Sequence, residues 1–394
     1  MNSTILHKEV QDFINQNLKS DVNKLILKGS PFKNITIQEL ANQIIAKQKS
    51  EKKLPTWFAT KNIYYPPKIS IEQTSSEITA NYKATLVKSE SIVDITGGFG
   101  VDCFAFSKKN KKVVYCEINE DLSKIVSYNY QQLRVSNIKI ITDNGLLFLK
   151  NTLEKFDCIY VDPSRRNQTK GKVFLLNDCE PNIPKNLDFL FTKTDTILIK
   201  SSPILDITSA INELQFVKTI YIVAVHNEVK ELLFLLEKNN QKNSEIKTIN
   251  ILKKGSQVFD FNLNSEGVAT YSAPLTYVYE PNAAILKSGG FNQVSQQLNV
   301  YKLHIHSHLY TSENLITDFP GRIFQINKVI KYNKKQLLKE IPNKKANITT
   351  RNFPKTVAQI RKETKLKEGG DIYVFFTTLI DDALVAIICQ QIYS

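Results

Sequence analysis

The chain has 394 residues, 42% of them hydrophobic, and a formal net charge of +14. That length implies two or three domains, and the composition is that of a soluble globular protein. No run approaches the roughly 18 apolar residues of a membrane span, and the opening segment MNSTILHKEVQDFINQNLKSD lacks a signal-peptide core, so a cytoplasmic protein without a membrane partner is expected.

Residues 1–85 read as a helical domain. TIQELANQIIAKQKSEKK places Leu40, Ile44 and Ile45 at helical spacing, with Thr36 as N-cap and Glu39 completing a capping box. LPTWFATKNIYYPP is a turn-rich connection. A second helix starts at Ser76, with Ile78, Tyr82 and Leu86 as its expected apolar face. From Ser91 the pattern changes. SIVDIT, KVVYCEI, IKIITD, DCIYVD, TILIKS and TIYIVAV are short β-branched runs separated by helical stretches, the signature of a parallel sheet covered on both faces. TINILKK and QVFDFNL read as an antiparallel pair at its edge. From about Thr270, YVYEPNAAILKSGG, YKLHIHSHLYTS, RIFQINKVI and KANITTRNFP mix strands and helices in an α+β arrangement. The late run YVFFTTLIDDALVAIICQQI is interrupted by Asp381 and Asp382 and reads as two buried strands joined by a turn.

Only 13 glycines occur in the chain, and three of them fall within DITGGFGVD. Asp94 ends the first strand, and Gly97, Gly98 and Gly100 form the turn into a helix, where backbone adopts unusual dihedrals and lets a ligand approach. Reading from Gly98, GFGVDC puts Cys103 where the dinucleotide fingerprint has its third Gly or Ala, a departure from the NAD pattern. Strand two ends near Glu117, placed to accept from ribose hydroxyls, strand three at Asp143, and strand four at Asp162.

These four motifs, DITGGFGVD, CEIN, TDNG and DPSRR, each closing a strand and in this order, resemble the class I S-adenosylmethionine-dependent methyltransferases over residues 90–230. The resemblance implies an α/β fold, a Rossmann-like doubly wound, mostly parallel sheet with an N-terminal helical domain and a C-terminal α+β domain. It also implies S-adenosyl-L-methionine as cofactor. By position, the cofactor residues are Asp94, Thr96, Gly97, Gly98, Phe99, Gly100, Asp102, Glu117, Ile118, Asp143, Asn144 and Asp162. In that family strand four often ends in Asp-Pro-Pro-aromatic when the acceptor is a base amino nitrogen. Here Ser164 replaces the second proline and Arg165 the aromatic, so the location of the acceptor pocket carries over but its chemistry does not. The expected catalytic residues are Asp162, Pro163, Ser164, Arg165 and Lys200. Arg165 and Arg166 either meet substrate or pair with nearby acids. Strand five ends ILIKSSPILD, without the cysteine that pyrimidine C5 methylation commonly uses, so nitrogen or oxygen methylation is favoured. After strand six, Asn227, Glu228 and Lys230 are expected at the same sheet edge.

Both flanks, LPTWF…YYPPKISIEQTSSEITANYKA and ANITTRNFPKTVAQIRKETKLKEGGDIYVFFTTL, resemble a bacterial methyltransferase family with ferredoxin-like and THUMP-like C-terminal pieces. The implied divisions are 1–85, 86–270, 271–318 and 319–394. From Lys328 to Lys367 there are thirteen Lys or Arg against Glu340 and Glu363. An RNA surface including Arg166, Lys344, Lys345, Arg351 and Arg361 is therefore expected, with tRNA or rRNA as partner; a merely solvated basic face is the alternative. HIHSH at 304–308 reads as alternation along a strand rather than a metal site. Cys103, Cys116, Cys158, Cys179 and Cys389 lack metal-ligand spacing and read as buried thiols, so no metal is expected. A DNA, protein or small-molecule methyltransferase and a non-catalytic RNA-binding protein stay open as alternatives. A monomer is slightly favoured.

Overall fold

The computed structural model describes residues 1–87, 89–165 and 175–392, apart from the Arg165 side chain. The chain divides into two compact units: residues 1–218 with 232–241, and residues 219–231 with the chain from 242 onward.

The first unit joins the N-terminal helices to the glycine-turn strands. Its sheet contains β1 (Ser91–Asp94), β2 (Lys112–Cys116), β3 (Ile138–Ile141), β4 (Cys158–Val161) and β5 (Thr196–Ser201), in the order β3-β2-β1-β4-β5 and all parallel. The registers Asp94↔Tyr115 and Asp94↔Tyr160 bring the carboxyl ends of β1, β2 and β4 to one edge. β1 and β4 are buried runs of Ile, Val, Cys and Tyr, as strands covered on both faces require.

β6 (Val217–Val225) is followed by a strand the sequence reading did not contain. The stretch from which Glu228 and Lys230 were expected at the sheet edge is β7, Glu228–Glu237, whose residues 232–237 pair antiparallel with β5. Its run Leu232-Leu233-Phe234 is buried, and this continuous apolar burial had no alternation by which to mark it. Glu228 and Lys230 pair with each other.

The Ile37–Lys53 helix carries the expected capping box, with Thr36 and Glu39 bonded reciprocally and Leu40 and Ile44 buried. Ser76 caps the Glu77–Leu86 helix as expected, but the buried face differs. Ile78 is 40% exposed, whereas Thr79, Ala80, Lys83 and Ala84 are buried. The helix turns its small residues and one lysine inward because a carboxylate waits there. It packs on the Val101–Ser107 helix that follows the glycine turn.

In the second unit, β8 (Glu245–Ile251) pairs parallel with β6 and antiparallel with β9 (Ser256–Asn262), the expected edge pair. A seven-stranded sheet follows. Its order is 301–302, 310–312, 277–281, 321–331, 384–392, 372–378 and 347–351, antiparallel except for the last pair. The Ile372–Thr378 and Leu384–Ile392 strands form the expected hairpin around Asp381 and Asp382. Phe324, Phe375 and Ile387 belong to one of its cores and Leu337, Ile360 and Phe376 to another. HIHSH is a turn, not a strand: His308 stacks on Phe291 at 3.5 Å, and burial lowers its pKa to about 4. No described helix is long and apolar enough to cross a membrane.

Candidate active site at the carboxyl edge of the sheet

The glycine turn is held from beneath by two tyrosines. Tyr115, on β2, donates to the Gly98 carbonyl at 2.6 Å, and Tyr130 donates to the Gly100 carbonyl at 2.7 Å. A Cβ on Gly97 would overlap the Tyr115 ring, and one on Gly100 would overlap Tyr130. Gly98 differs. Its φ is +54°, yet an added Cβ would meet only the Thr96 carbonyl at 3.8 Å, so the open side of the turn lies over Gly98. Phe99 points the other way, buried against Trp57 with ring centroids 6.3 Å apart, which leaves its backbone for any ligand.

Glu117 closes the next strand. It accepts from the Gly98 amide at 2.9 Å through one oxygen and from the Asn119 amide at 2.8 Å through the other, and each oxygen keeps a lone pair for a ribose hydroxyl. Ile118 beside it is 71% exposed, an apolar platform at the same edge. Asn144 caps the Gly145–Asn151 helix by accepting from the Leu146 and Leu147 amides, while Asp143 accepts from the Asn144 amide. Gly145 is forced by close approach to the backbone of Ile95.

Asp94 and Asp102 are both buried, and their surroundings separate them. Asp94 accepts from the Thr96 amide at 2.9 Å, the Thr96 hydroxyl at 3.1 Å and the Cys103 thiol at 3.3 Å. Burial nevertheless pushes its carboxyl up to about 7. Asp102 accepts from Ser75 at 2.8 Å and Tyr160 at 2.9 Å and lies 3.2 Å from Lys83 Nζ. Burial would raise it, but Lys83 and then Lys200 hold it below the usual carboxylate range. The structure thus spends the Asp102 carboxylate inside the protein, where the resemblance had implied a cofactor contact.

Thr96 links the glycine turn to the end of β4. Its hydroxyl donates to Asp94 and accepts from the Asp162 amide at 2.7 Å. The Asp162 carboxylate, one third exposed, accepts from Lys200 Nζ at 2.5 Å. Ser164 is exposed, and Ser164 and Arg165 form a short antiparallel ladder with Glu180 and Cys179. Pro163 is half-buried between them. The Arg165 side chain and Arg166 lie outside the described residues.

The basic region resolves into two kinds of cation. Lys344 and Lys345 are exposed. Arg351 bonds Glu280 at 3.0 Å, a glutamate that also takes Arg322. Arg361 donates to the carbonyls of Leu366 and Ala346 and to Glu368. Arg351 and Arg361, expected at the RNA surface, are therefore engaged in contacts within the protein. All five cysteines are buried and none is in a disulfide, and no cluster of three metal-ligating side chains occurs among the described residues.

The parallel order, the glycine turn and the strand-end acids define a class I S-adenosylmethionine-dependent methyltransferase. Residues 42–178 match the family described as Conserved hypothetical protein 95, 277–320 a ferredoxin-like domain, and 321–391 a THUMP-like domain. The crystal structure of a candidate methyltransferase from Porphyromonas gingivalis W83 is 30% identical, covers all of this chain and 99% of its own, and superposes with a TM-score of 0.88. The chain belongs to this methyltransferase family, with its ferredoxin-like and THUMP-like C-terminal domains. An uncharacterized RNA methyltransferase of Mycoplasma mobile is 26% identical over 93 residues, 24% of this chain and 26% of that protein. The chain thus spans about a quarter of the length of that curated relative. A candidate methyltransferase of Streptococcus mutans, solved with SAH, is 15% identical, covers 41% of this chain and 96% of its own, and has a TM-score of 0.31.

Proposed function

We propose that the protein is a cytoplasmic enzyme that methylates a base nitrogen in structured RNA, tRNA or rRNA. The observation that carries the acceptor site is the Asp162–Lys200 pair, tied by Thr96 to the glycine turn. Glu117, Ile118 and the open side of Gly98 fit S-adenosylmethionine, which supplies a methyl group activated by its sulfonium. Asp162 then holds an amino nitrogen of the base by accepting its N–H and aims the lone pair at that methyl group. The Lys200 ion pair fixes the carboxylate in place, and the proton shed by the methylated nitrogen passes to water, to which the Asp162 carboxylate is one third exposed. The Ser164–Arg165 ladder fixes the acceptor-side loop.

RNA is favoured by the THUMP-like match and by the description of the Mycoplasma relative as an RNA methyltransferase. Divisions near residues 85, 270 and 318 belong to the same reading. The test is methyl transfer from labelled S-adenosylmethionine to total RNA of a strain lacking the protein, followed by nucleoside mass spectrometry. A methylated base is expected, and Asp162→Ala should lose transfer while binding cofactor. Label found only in protein or small molecules would reject the RNA reading.

A further inference from the structure

Four charges alternate inside the first unit. Lys83, fully buried on the Glu77–Leu86 helix, lies 3.2 Å from Asp102. Asp102 lies in the first turn of the helix after the glycine turn and accepts from Tyr160, on β4 two residues before Asp162. Lys200 pairs with Asp162 at 2.5 Å, and the Tyr160↔Leu198 register of β4 with β5 sets it on the same face of the sheet as Tyr160, whose hydroxyl meets Asp102; its charge helps to hold Asp102 low. Asp102 thus stands near two lysines, only one of which serves the acceptor site. Ser75, from the segment before the Lys83 helix, bonds both Lys83 and Asp102.

We propose that Lys83 is a positioning residue for methyl transfer: by occupying Asp102 it leaves Lys200 on Asp162, which makes the N-terminal helical segment part of the acceptor site. The reasoning is electrostatic. A buried carboxylate that loses its cation takes the nearest other one, because an unpaired charge in a low-dielectric interior is costly. Without Lys83 that other cation is Lys200. Asp162 then loses its partner and the geometry that holds the acceptor. The cofactor contacts at Glu117 and Gly98 are separate from this chain of charges, so cofactor affinity is not expected to follow.

This inference rests on the reading that Asp162 faces the acceptor, so its test has a readout that needs no substrate. Crystal structures of the full chain are compared for the parent, Lys83→Gln and the Lys83→Gln/Asp102→Asn double variant. In Lys83→Gln, Lys200 Nζ should leave Asp162 for Asp102. In the double variant, which buries no unpaired charge, it should return. Kinetics on methyl-accepting RNA should then show kcat at least tenfold down in the single variant, with cofactor Kd within about twofold, and most of the loss restored in the double. A scaffold role alone gives no such rescue. Lys200 remaining on Asp162 in a folded Lys83→Gln protein overturns the proposal, as does parental kcat there. Should that variant not fold, Lys200 displaced from Asp162 in the double variant overturns it instead. Movement of Lys200 as expected, in a protein that methylates no RNA, would uphold the charge relationship and remove only the substrate reading.

Discussion

The amide of Asp162 donates a 2.7 Å hydrogen bond to the hydroxyl of Thr96, whose own proton goes to Asp94, so the loop closing β4 is fastened to the loop closing β1. One side chain therefore sets the spacing between the cofactor turn and the acceptor acid. Thr96→Val keeps the shape and removes both bonds. It should cost about 1–3 kcal/mol of stability, since the Asp162 amide loses its partner, and it should lower kcat more than it weakens cofactor binding. Thr96→Ser should restore both. Calorimetry and single-turnover transfer check this, and unchanged kcat in a folded valine variant would count against the linkage.

The glycines make different predictions by position. Gly97→Ala should destabilise the fold, because its methyl group overlaps the Tyr115 ring beneath the turn. Gly98→Ala meets open space and bears only a left-handed backbone, costing about 1 kcal/mol. Its methyl group would instead stand where the cofactor approaches, so Gly98→Ala should lose affinity out of proportion to stability. Glu117→Ala should weaken S-adenosylmethionine binding by roughly 1–3 kcal/mol through loss of a charge-assisted hydrogen bond. Titration calorimetry on the three variants, beside their melting temperatures, separates the two effects.

Asp94 predicts a pH dependence. Burial raises its carboxyl to about 7 in the folded protein, against about 4 in the unfolded chain. The folded state therefore binds the proton more tightly. The stability this contributes is complete below about pH 4 and is lost as the pH rises through 7. Asp94→Asn does not titrate, and its amide oxygen can still accept from Thr96. Its melting temperature should thus rise relative to the parent between pH 5 and pH 8. A difference independent of pH would show that Asp94 stays in one protonation state across that range.

The glycine turn and the strand-end acids were legible because their residues are dictated locally. A glycine at φ +54° and an acid at each strand end depend on backbone geometry that short motifs record. The Thr36 capping box and the Leu384 hairpin were legible for the same reason. Lys83 was not. A lysine within a helix reads as solvated unless its partner is known, and Asp102 lies 19 positions away on another helix. Arg351 and Arg361 show the same limit from the other side. Clustered with lysines they read as a basic surface, but Glu280, 71 positions from Arg351, draws that guanidinium inward. Local pattern reports what a residue needs; it does not report which distant residue meets the need.

That division sharpens the test of the basic region. Lys344 and Lys345 are exposed, and neither forms an ion pair among the described residues. If they contact phosphate, Lys344→Glu/Lys345→Glu should weaken RNA binding and flatten its salt dependence, because each lost phosphate contact releases less counterion, about 0.7–0.9 in the log–log slope. Melting temperature and cofactor affinity should stay near parental values. Arg351→Ala and Arg361→Ala should do the reverse. Removing Arg351 leaves the buried Glu280 with Arg322 alone, and removing Arg361 leaves the Leu366 and Ala346 carbonyls without their donor. Both should lower the melting temperature, while RNA affinity per folded molecule stays within about threefold of the parent at 0.15 M salt, the range that one phosphate contact spans. Filter binding across a salt series, paired with thermal melts and calorimetric titration of the cofactor, reads all four quantities. If the lysine pair is silent and Arg351→Ala abolishes binding in a protein that remains folded, the phosphate grip lies at the Glu280 cluster rather than at Lys344 and Lys345.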